Sequence, residues 1–245
     1  MDEEGTGMAK ERRVVVPAGV ERMLDVALDK ALAVQRPAVQ SYLDRARRRH
    51  PELTPAEVER QLERRYLAAV VGIGGASGAA AAVPGTGTAA SLASGAAEIT
   101  AFVSATALYV LALAELHSVP VSDPEVRRAL VVSVLIGEAG IVALEGGEML
   151  AEKHWAHVLA RATPRDKVTM LNSYLARRLV RRLGARQGAL LVGRALPLGV
   201  GAAIGAGGNA ALARRAIGTA RKAFGPAPKK FPPRVIDVKS RPRPN

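Results

Sequence analysis

The chain of 245 residues contains no cysteine, has only 3% aromatic residues and carries a formal charge of +13. The absence of cysteine excludes disulfides and thiolate metal sites, and the shortage of aromatic residues disfavours a sheet built on aromatic and β-branched pairs. The charge is uneven, since residues 161–245 hold 19 Lys and Arg against two acids. A basic C-terminal third predicts an anionic partner, either nucleic acid or anionic lipid.

The N-terminal part of the chain shows helix signals after a polar start. The first 16 residues lack the apolar core of a secretory signal, so we expect a disordered segment on a chain that starts in the cytoplasm. Residues 20–48 predict a helix with Pro37 as its potential break. The next helix begins at Thr54, because Thr54 can cap, Pro55 suits the first helical position and Glu57 completes a capping box.

The same start signal recurs twice, at residues 122–125 (SDPE) and 163–166 (TPRD). Three strong helix starts without convincing period-2 alternation predict an all-α protein. We expect a single helical domain over residues 17–225. The basic, Pro-rich residues 226–245 are predicted to form a disordered tail.

Glu98 is the only charged residue between Tyr66 and Ala114. The Val-Pro-Gly sequence at residues 83–85 predicts a turn that folds this stretch into a helical hairpin. A second glycine-rich stretch around residues 197–201 echoes the first. The expected fold is therefore a helical bundle with two glycine-rich helical hairpins that are long and apolar enough for membrane insertion.

The glycines of VVGIGGASGAAAAVPGTG, residues 70–87, raise the alternative of a phosphate-binding loop. The chain has no Gly-Lys pair, and the third glycine of a dinucleotide fingerprint comes one position late, so we do not expect a nucleotide site. We interpret the glycines as helix-packing positions, because small residues four apart let two helices approach closely. These positions are Gly72, Gly74, Gly75, Gly78, Gly201 and Gly205.

Two further helices are predicted in the second half of the chain. Pro124 opens one that we extend to residue 150, and residues 129–137 are apolar on nearly all sides, which indicates burial in protein or lipid. Residues 168–183 form an apolar stripe with arginines beside it, a basic amphipathic helix. We expect anionic lipid headgroups to contact Arg177, Arg178, Arg181, Arg182 and Arg186.

Side chains suited to metal binding are sparse. His154 and His157 are three residues apart on a predicted helix, but Glu148 and Glu152 do not supply the Glu-x-x-His spacing of a helical metal site. We expect both histidines to cover a helix surface beside Trp155. No metal site or cofactor is predicted.

Glu98, Glu138 and Glu145 lie in or beside apolar stretches. Such groups are functional candidates in a membrane, whereas in a soluble bundle they pair with Arg or cap a helix. No nucleophile or catalytic constellation accompanies them. Nucleic acid is not expected, because the basic third has few aromatic residues for base stacking.

Several stretches together resemble the bacterial EcsC family. They are VVGIGGASGAAAAVPGTG, the uncharged helix through Glu98 and Tyr109, SDPEVRRALVVSVLIGE, and LPLGVGAAIGAGGNAALARRAIGTARKAF, within roughly residues 15–225. The resemblance implies a helical, membrane-associated protein, and the name-giving member of the family is encoded beside an ABC transporter. The family has no established catalytic residues to carry over.

These observations predict a non-enzymatic helical protein at the cytoplasmic face of a bacterial membrane, accessory to a transport or envelope process. Its expected partners are anionic lipid and a protein in a membrane complex, and no small-molecule substrate is identified. The alternative is a soluble, cytoplasmic all-α protein that binds a protein partner. A cytoplasmic enzyme is a third reading, which requires Glu98, Glu138 and His154 to meet in space.

Overall fold

A computed structural model describes residues 18–33, 36–81, 88–137, 154–161, 163–193 and 200–231. These residues form eight α-helices and no β-strand, which confirms the predicted all-α class. The helices are α1 Ala18–Leu32, α2 Arg36–Arg49, α3 Pro55–Ala81, α4 Thr88–Leu116, α5 Pro124–Ile136, α6 Trp155–Arg161, α7 Arg165–Gly193 and α8 Val200–Phe224. The predicted disordered N-terminus, residues 1–16, lies outside the described residues.

The predicted helix over residues 20–48 is two helices, α1 and α2. Pro37 is the second residue of α2, where its missing N–H leaves no helical hydrogen bond unmade. The break therefore precedes the proline instead of falling at it.

The start of α3 has the predicted capping box. The backbone N–H of Thr54 donates to Glu57 Oε2 at 2.7 Å, and the Glu57 N–H lies 3.4 Å from the Thr54 hydroxyl. At α5 the cap is Asp123, not Ser122, because the Asp123 side chain accepts from the Glu125 N–H at 2.9 Å. The Thr163 hydroxyl donates to the Val158 carbonyl, back towards α6.

The helix that begins at Pro124 ends at Ile136, well short of the predicted residue 150. Gly137 adopts φ +67, and its N–H donates to the carbonyls of Ser133 and Val134. Such a left-handed glycine is a common helix C-cap, because it needs no Cβ and satisfies the last carbonyls. The apolar part of the helix is buried in protein from Ala129 to Ile136. Residues 138–150 lie outside the described residues.

Helix α4 contacts α1, α2, α3, α5 and α8, and most of the buried residues lie on these helices or on α7. The buried hydroxyls of Tyr66 on α3 and Thr106 on α4 are 2.9 Å apart, and the Ser77 hydroxyl donates to Glu98 at 2.7 Å. Increasing residue numbers on α3 thus match decreasing numbers on α4. The two helices are antiparallel.

Helix α8 packs along α3 in the same way. Arg221 binds Glu63, and Asn209 donates to the Val70 carbonyl, so α3 and α8 are antiparallel as well. One end of the bundle is consequently formed by residues 71–81 of α3, 88–97 of α4 and 200–208 of α8. These residues include no Asp, Glu, Lys or Arg, and we call this part of the molecule the uncharged end.

The amphipathic character predicted for α7 is confirmed. Its stripe of Val168, Leu171, Leu175 and Leu179 is at most 3% exposed, and α7 packs mainly on α5. Arg177 and Arg181 lie on the exposed side. The helix also ends much later than predicted, at Gly193.

The first six residues of the predicted C-terminal tail are among those that the structure describes. Residues 226–231 follow α8 in the described structure, and Phe231 packs against the core with its ring 4.2 Å from the Arg47 guanidinium carbon. This cation–π contact joins Phe231 to α2. Residues 232–245 lie outside the described residues.

The left-handed cap of α5 gives a matched pair of glycine substitutions. We expect Gly137→Ala to lower the free energy of unfolding by about 1–2 kcal/mol, the cost of a left-handed L-residue. Its new Cβ would also lie 2.6 Å from the Arg215 side chain. Gly218→Ala, inside α8 with no atom within 4 Å of its Cβ, should raise that free energy by up to about 1 kcal/mol. Urea unfolding of both variants checks the opposite signs, and equal effects would contradict the capping role.

Candidate functional site

A cleft of about 580 Å³ lies between the N-terminal half of α3 and the C-terminal end of α8. Six of its lining side chains are polar or charged, and Ala56, Pro226 and Ala227 add apolar wall. Because α3 and α8 are antiparallel, residues near the start of one helix and the end of the other meet here. The six are Glu59, Arg60, Glu63, His154, Arg221 and Lys222.

Glu63 and Arg221 form a two-pronged ion pair across the cleft. The Nε and Nη2 atoms of Arg221 donate to the two oxygens of Glu63, each at 2.6 Å. The Glu63 side chain is 9% exposed whereas that of Arg221 is 62% exposed, so the arginine covers a nearly buried carboxylate. The hydrogen bonding to Glu63 raises the pKa of Arg221 above its usual value.

Glu59 lies one helical turn before Glu63 and binds a different partner. His117, at the end of α4, donates from Nε2 to Glu59 Oε2 at 3.2 Å, and both residues are buried. The imidazole also lies against the Phe224 ring, with centroids 5.3 Å apart. Both carboxylates of the cleft are therefore engaged by cationic or hydrogen-bonding groups of the protein itself.

Two stacked tyrosines form the layer behind these carboxylates. The rings of Tyr66 and Tyr109 are parallel within 6° with centroids 4.5 Å apart. Thr106 donates to the Phe102 carbonyl at 2.8 Å, so its oxygen accepts from the Tyr66 hydroxyl. Burial raises the pKa of Tyr66 to about 12.

The Tyr109 hydroxyl is buried without a hydrogen-bond partner among the described residues. Burial raises its pKa, and the nearby charges of Glu63 and Glu59 raise it further. The hydroxyl thus stays protonated as a donor close to two carboxylates. An unsatisfied buried donor is uncommon and costs free energy.

His154 occupies the end of the cleft in a strained backbone conformation. Its φ is +78, its N–H donates to the Lys222 carbonyl at 3.1 Å, and Nδ1 lies 3.1 Å from the Phe224 carbonyl. The imidazole covers Gly225, where an added Cβ would sit 1.6 Å from Nδ1. His154 therefore precedes α6 and fills a cleft wall, so the expectation of a helix-surface histidine was wrong.

His157 lies on α6 as expected, and its side chain is half-buried. Trp155 is only 1% exposed and belongs to the core. Burial lowers the pKa of the half-buried His157, and the charges of Arg161, His117 and His154 lower it further. In the described part of the chain, no group of three or more His, Cys, Asp or Glu residues is placed to hold a metal ion.

A second polar cluster lies where the uncharged end meets the rest of the bundle. Glu98 of α4 accepts from the Ser77 hydroxyl at 2.7 Å and from Asn209 Nδ2 at 3.1 Å. Asn209 is fully buried and also donates to the Val70 carbonyl at 3.2 Å. One carboxylate thus joins α3, α4 and α8 through hydroxyl and amide donors, not through an arginine.

The third reading of the sequence required Glu98 and His154 to meet. Asn209, which binds Glu98, lies fifteen residues before Phe224, which contacts His154, and this is about 22 Å along α8 at 1.5 Å per residue. Glu98 and His154 therefore belong to separate sites. Glu138 and Glu145 lie outside the described residues.

The five arginines predicted to contact lipid all lie on α7. Arg177 and Arg181 are exposed, whereas Arg178 is half-buried and donates to the Tyr174 hydroxyl at 2.9 Å. The side chains of Arg182 and Arg186 lie outside the described residues. Lipid contact by these arginines stays a prediction.

The glycines predicted to pack helices differ among themselves. A Cβ built at Gly72 or Gly75 meets no atom within 4 Å, so neither glycine makes the close approach that motivated the prediction. Gly74 is buried and its carbonyl accepts from the Ser77 hydroxyl. The surroundings of Gly78, Gly201 and Gly205 lie outside the described residues.

Sequence reasoning missed the residues that build the cleft. Glu59 and Glu63 are four apart and flank the apolar row Val58, Leu62 and Tyr66, a pattern that places two acids beside a buried stripe. That signal was available in the sequence. Their partners His117 and Arg221 lie 58 and 158 residues away, and no local pattern connects them.

Comparisons with known proteins identified no relative of this chain. No protein-family model matches the chain, and searches of curated proteins and of solved structures found no match.

The two stacked tyrosines give a prediction in which the same substitution has opposite effects. Tyr66→Phe removes the hydrogen bond to Thr106 and should lower the free energy of unfolding by about 1 kcal/mol. Tyr109→Phe removes a buried hydroxyl without a partner and should raise that free energy by about 1 kcal/mol or more. Both variants keep the ring stack, so denaturant unfolding compares the hydroxyls directly. Destabilisation by Tyr109→Phe would show that its hydroxyl is satisfied.

Proposed function

We propose that the protein attaches to the cytoplasmic face of a membrane by its uncharged end, as an accessory protein without catalytic activity of its own. The observation that carries this proposal is the meeting of three glycine- and alanine-rich helix ends, from α3, α4 and α8, at one end of the bundle. A solvated helix end usually carries charged side chains, and these three carry none.

The depth of attachment follows from helix length. Residues 71–81 extend eleven residues past the Val70–Asn209 contact, which is about 16 Å at 1.5 Å per residue. The hydrocarbon core of a bilayer is about 30 Å thick, so the uncharged end suits entry into one leaflet and is too short to cross both. Glu98 binds Ser77, four residues before the end of α3, so its carboxylate enters with the uncharged end and keeps the hydrogen bonds from Ser77 and Asn209 there.

The helix segment that meets the length and composition of a membrane span is Ala97–Leu116, and 61% of it is buried inside the bundle. Only this segment among the described residues passes that test, and a single such helix is weak support for a membrane span. We therefore propose insertion of the uncharged end alone, not of the whole stretch from Tyr66 to Ala114.

The arginines of α7 supply the second element of attachment. Arg177 and Arg181 are exposed on a helix whose opposite stripe is buried against α5. Basic side chains near an anionic surface each contribute about 1 kcal/mol, and a shallow apolar insertion needs such a second contribution to be stable.

The resemblance to the EcsC family is a separate, sequence-based argument for this proposal. It implies membrane association in a transport or envelope setting, with a protein partner in a membrane complex. The second candidate function is a soluble, cytoplasmic interaction protein, which the burial of Ala97–Leu116 favours. Such a protein stays monodisperse without detergent and leaves the membrane fraction completely on carbonate washing, whereas an inserted one is retained.

Tryptophan quenching tests insertion of the uncharged end. The only tryptophan, Trp155, is 1% exposed in the core and serves as an internal reference. We expect brominated phospholipids to quench the added fluorescence of Leu92→Trp, which lies in the uncharged end. Leu108→Trp is the matched control, because Leu108 is 41% exposed on the same helix but about 24 Å away. Equal quenching of both variants, or of neither, contradicts the proposal.

Charge neutralisation on α7 tests the headgroup contact. Arg177→Gln/Arg181→Gln should weaken binding to vesicles containing phosphatidylserine by about 30-fold, since two contributions of about 1 kcal/mol are lost. Arg48→Gln/Arg49→Gln, at the exposed end of α2, is the matched control and should bind within about threefold of wild type. Vesicle co-sedimentation at two salt concentrations measures both. A similar loss in both double variants would indicate a general charge effect and not a face of α7.

A further inference from the structure

We propose that the cleft between α3 and α8 binds a small soluble oxyanion, an organic molecule that carries a phosphate or carboxylate group. The cleft lies at the end of the bundle opposite to the uncharged end. From Glu63 to Ala81 there are eighteen residues of continuous helix, about 27 Å at 1.5 Å per residue. A ligand in the cleft therefore comes from the aqueous phase and not from the headgroups of the membrane that the uncharged end contacts.

The sign of the ligand charge follows from what the cleft residues already bind. Glu63 is held by Arg221 and Glu59 by His117, so both acids have partners. Arg60 and Lys222 line the same cleft, are exposed, and form no ion pair among the described residues. Glu57, three residues before Arg60, accepts the hydrogen bonds of the capping box, which lower its pKa, and the charge of Arg60 is a smaller contribution to that lowering. The charges that the cleft offers to a ligand are consequently positive, so the ligand itself is an anion.

A cation is a poor fit for the same reason. It would have to displace Arg221 from two 2.6 Å hydrogen bonds or His117 from Glu59. Breaking such a pair leaves a nearly buried charge without its partner, which is expensive. A phosphate or carboxylate instead adds contacts to Arg60, Lys222 and the outer edge of Arg221 without breaking any, and guanidinium groups are well suited to oxyanions.

His154 adds a directed polar group to this site. Carbonyl oxygens only accept, so the contact with the Phe224 carbonyl places a proton on Nδ1 and leaves Nε2 available. Nε2 can accept from a hydroxyl of the ligand. The left-handed backbone of His154 costs about 1–3 kcal/mol, and strained residues of this kind concentrate at functional sites.

The size and walls of the cleft describe the remainder of the ligand. A volume of about 580 Å³ is within the range of about 300–1,000 Å³ that holds small molecules, and far exceeds a bare phosphate ion. Ala56, Pro226 and Ala227 provide apolar wall beside the charged groups. The site thus fits an anion with a modest organic body, and phenyl phosphate is a suitable probe.

Isothermal titration calorimetry and ³¹P NMR with phenyl phosphate, on the full chain without vesicles, test the proposal. We expect saturable binding with a Kd below about 1 mM, and at least tenfold weaker binding to Arg60→Gln/Lys222→Gln. Both side chains are exposed, so this variant should fold as wild type does. Arg64→Gln/Lys230→Gln removes two exposed charges that do not line the cleft and should bind within about twofold of wild type.

Further probes show whether the cleft recognises a phosphate, a carboxylate, a lipid headgroup or only an apolar ring. Benzoate reports on carboxylates, and benzyl alcohol reports on the apolar wall without a charge. The proposal is overturned if neither phenyl phosphate nor benzoate binds, if benzyl alcohol binds equally well, or if both double variants lose binding alike. Binding to phosphatidic acid vesicles that depends on Arg60 and Lys222, without binding of the soluble probes, would overturn it in favour of a lipid headgroup. These outcomes are independent of quenching at Leu92 and of the arginines on α7.

Discussion

The antiparallel packing of α3 on α8 is the contact on which the other features depend. It joins residues 158 positions apart in the Glu63–Arg221 pair and 139 apart in the Val70–Asn209 bond. α8 is the last of the described helices along the chain, so the cleft is complete only after α8 has docked on α3. Both helices are rich in glycine and alanine, whose small side chains interdigitate little and leave the register weakly specified by shape. Two polar contacts seven residues apart along α3 supply that register, a role for which buried polar groups are best known in helical assemblies.

Local signals in the sequence determined the features that were predicted correctly. The Thr54–Glu57 capping box, the all-α class and the buried stripe of α7 each depend on residues within four positions of one another. The errors at helix ends have a local cause too, since Gly137 was treated as part of an apolar helix although a glycine there can cap it. The start signal of α5 began at Ser122, but the observed cap is Asp123. The sequence alone did not separate the two, because Ser and Asp side chains can both accept from the N–H groups of a first turn.

The candidate sites were harder to predict, because their partners are distant in sequence. Glu98 was recognised as an unusual acid, yet its partners Ser77 and Asn209 have no charge and lie 21 and 111 residues away. An arginine partner was the natural expectation for an acid in a soluble bundle, and two neutral donors satisfy the same oxygens. His154 was assigned to a helix surface because its spacing from His157 matches a helix. Its left-handed backbone, which takes it off the helix and over Gly225, has no signature in sequence periodicity.

The two ends of the bundle differ in chemistry but share the same helices. α3 and α8 pass from the charged cleft to the uncharged end, with the Glu98, Ser77 and Asn209 cluster between them. A rigid helix pair transmits small shifts at one end to the other, because packed helices move as units. An anion that draws Arg221 or Lys222 inward acts on the last turn of α8, and any resulting shift of α8 must be accommodated where Asn209 meets both α3 and α4. This arrangement gives the cleft a physical route to the uncharged end. If the two ends are coupled, linkage requires that the proposed membrane attachment affect ligand binding in the cleft as much as the ligand affects attachment.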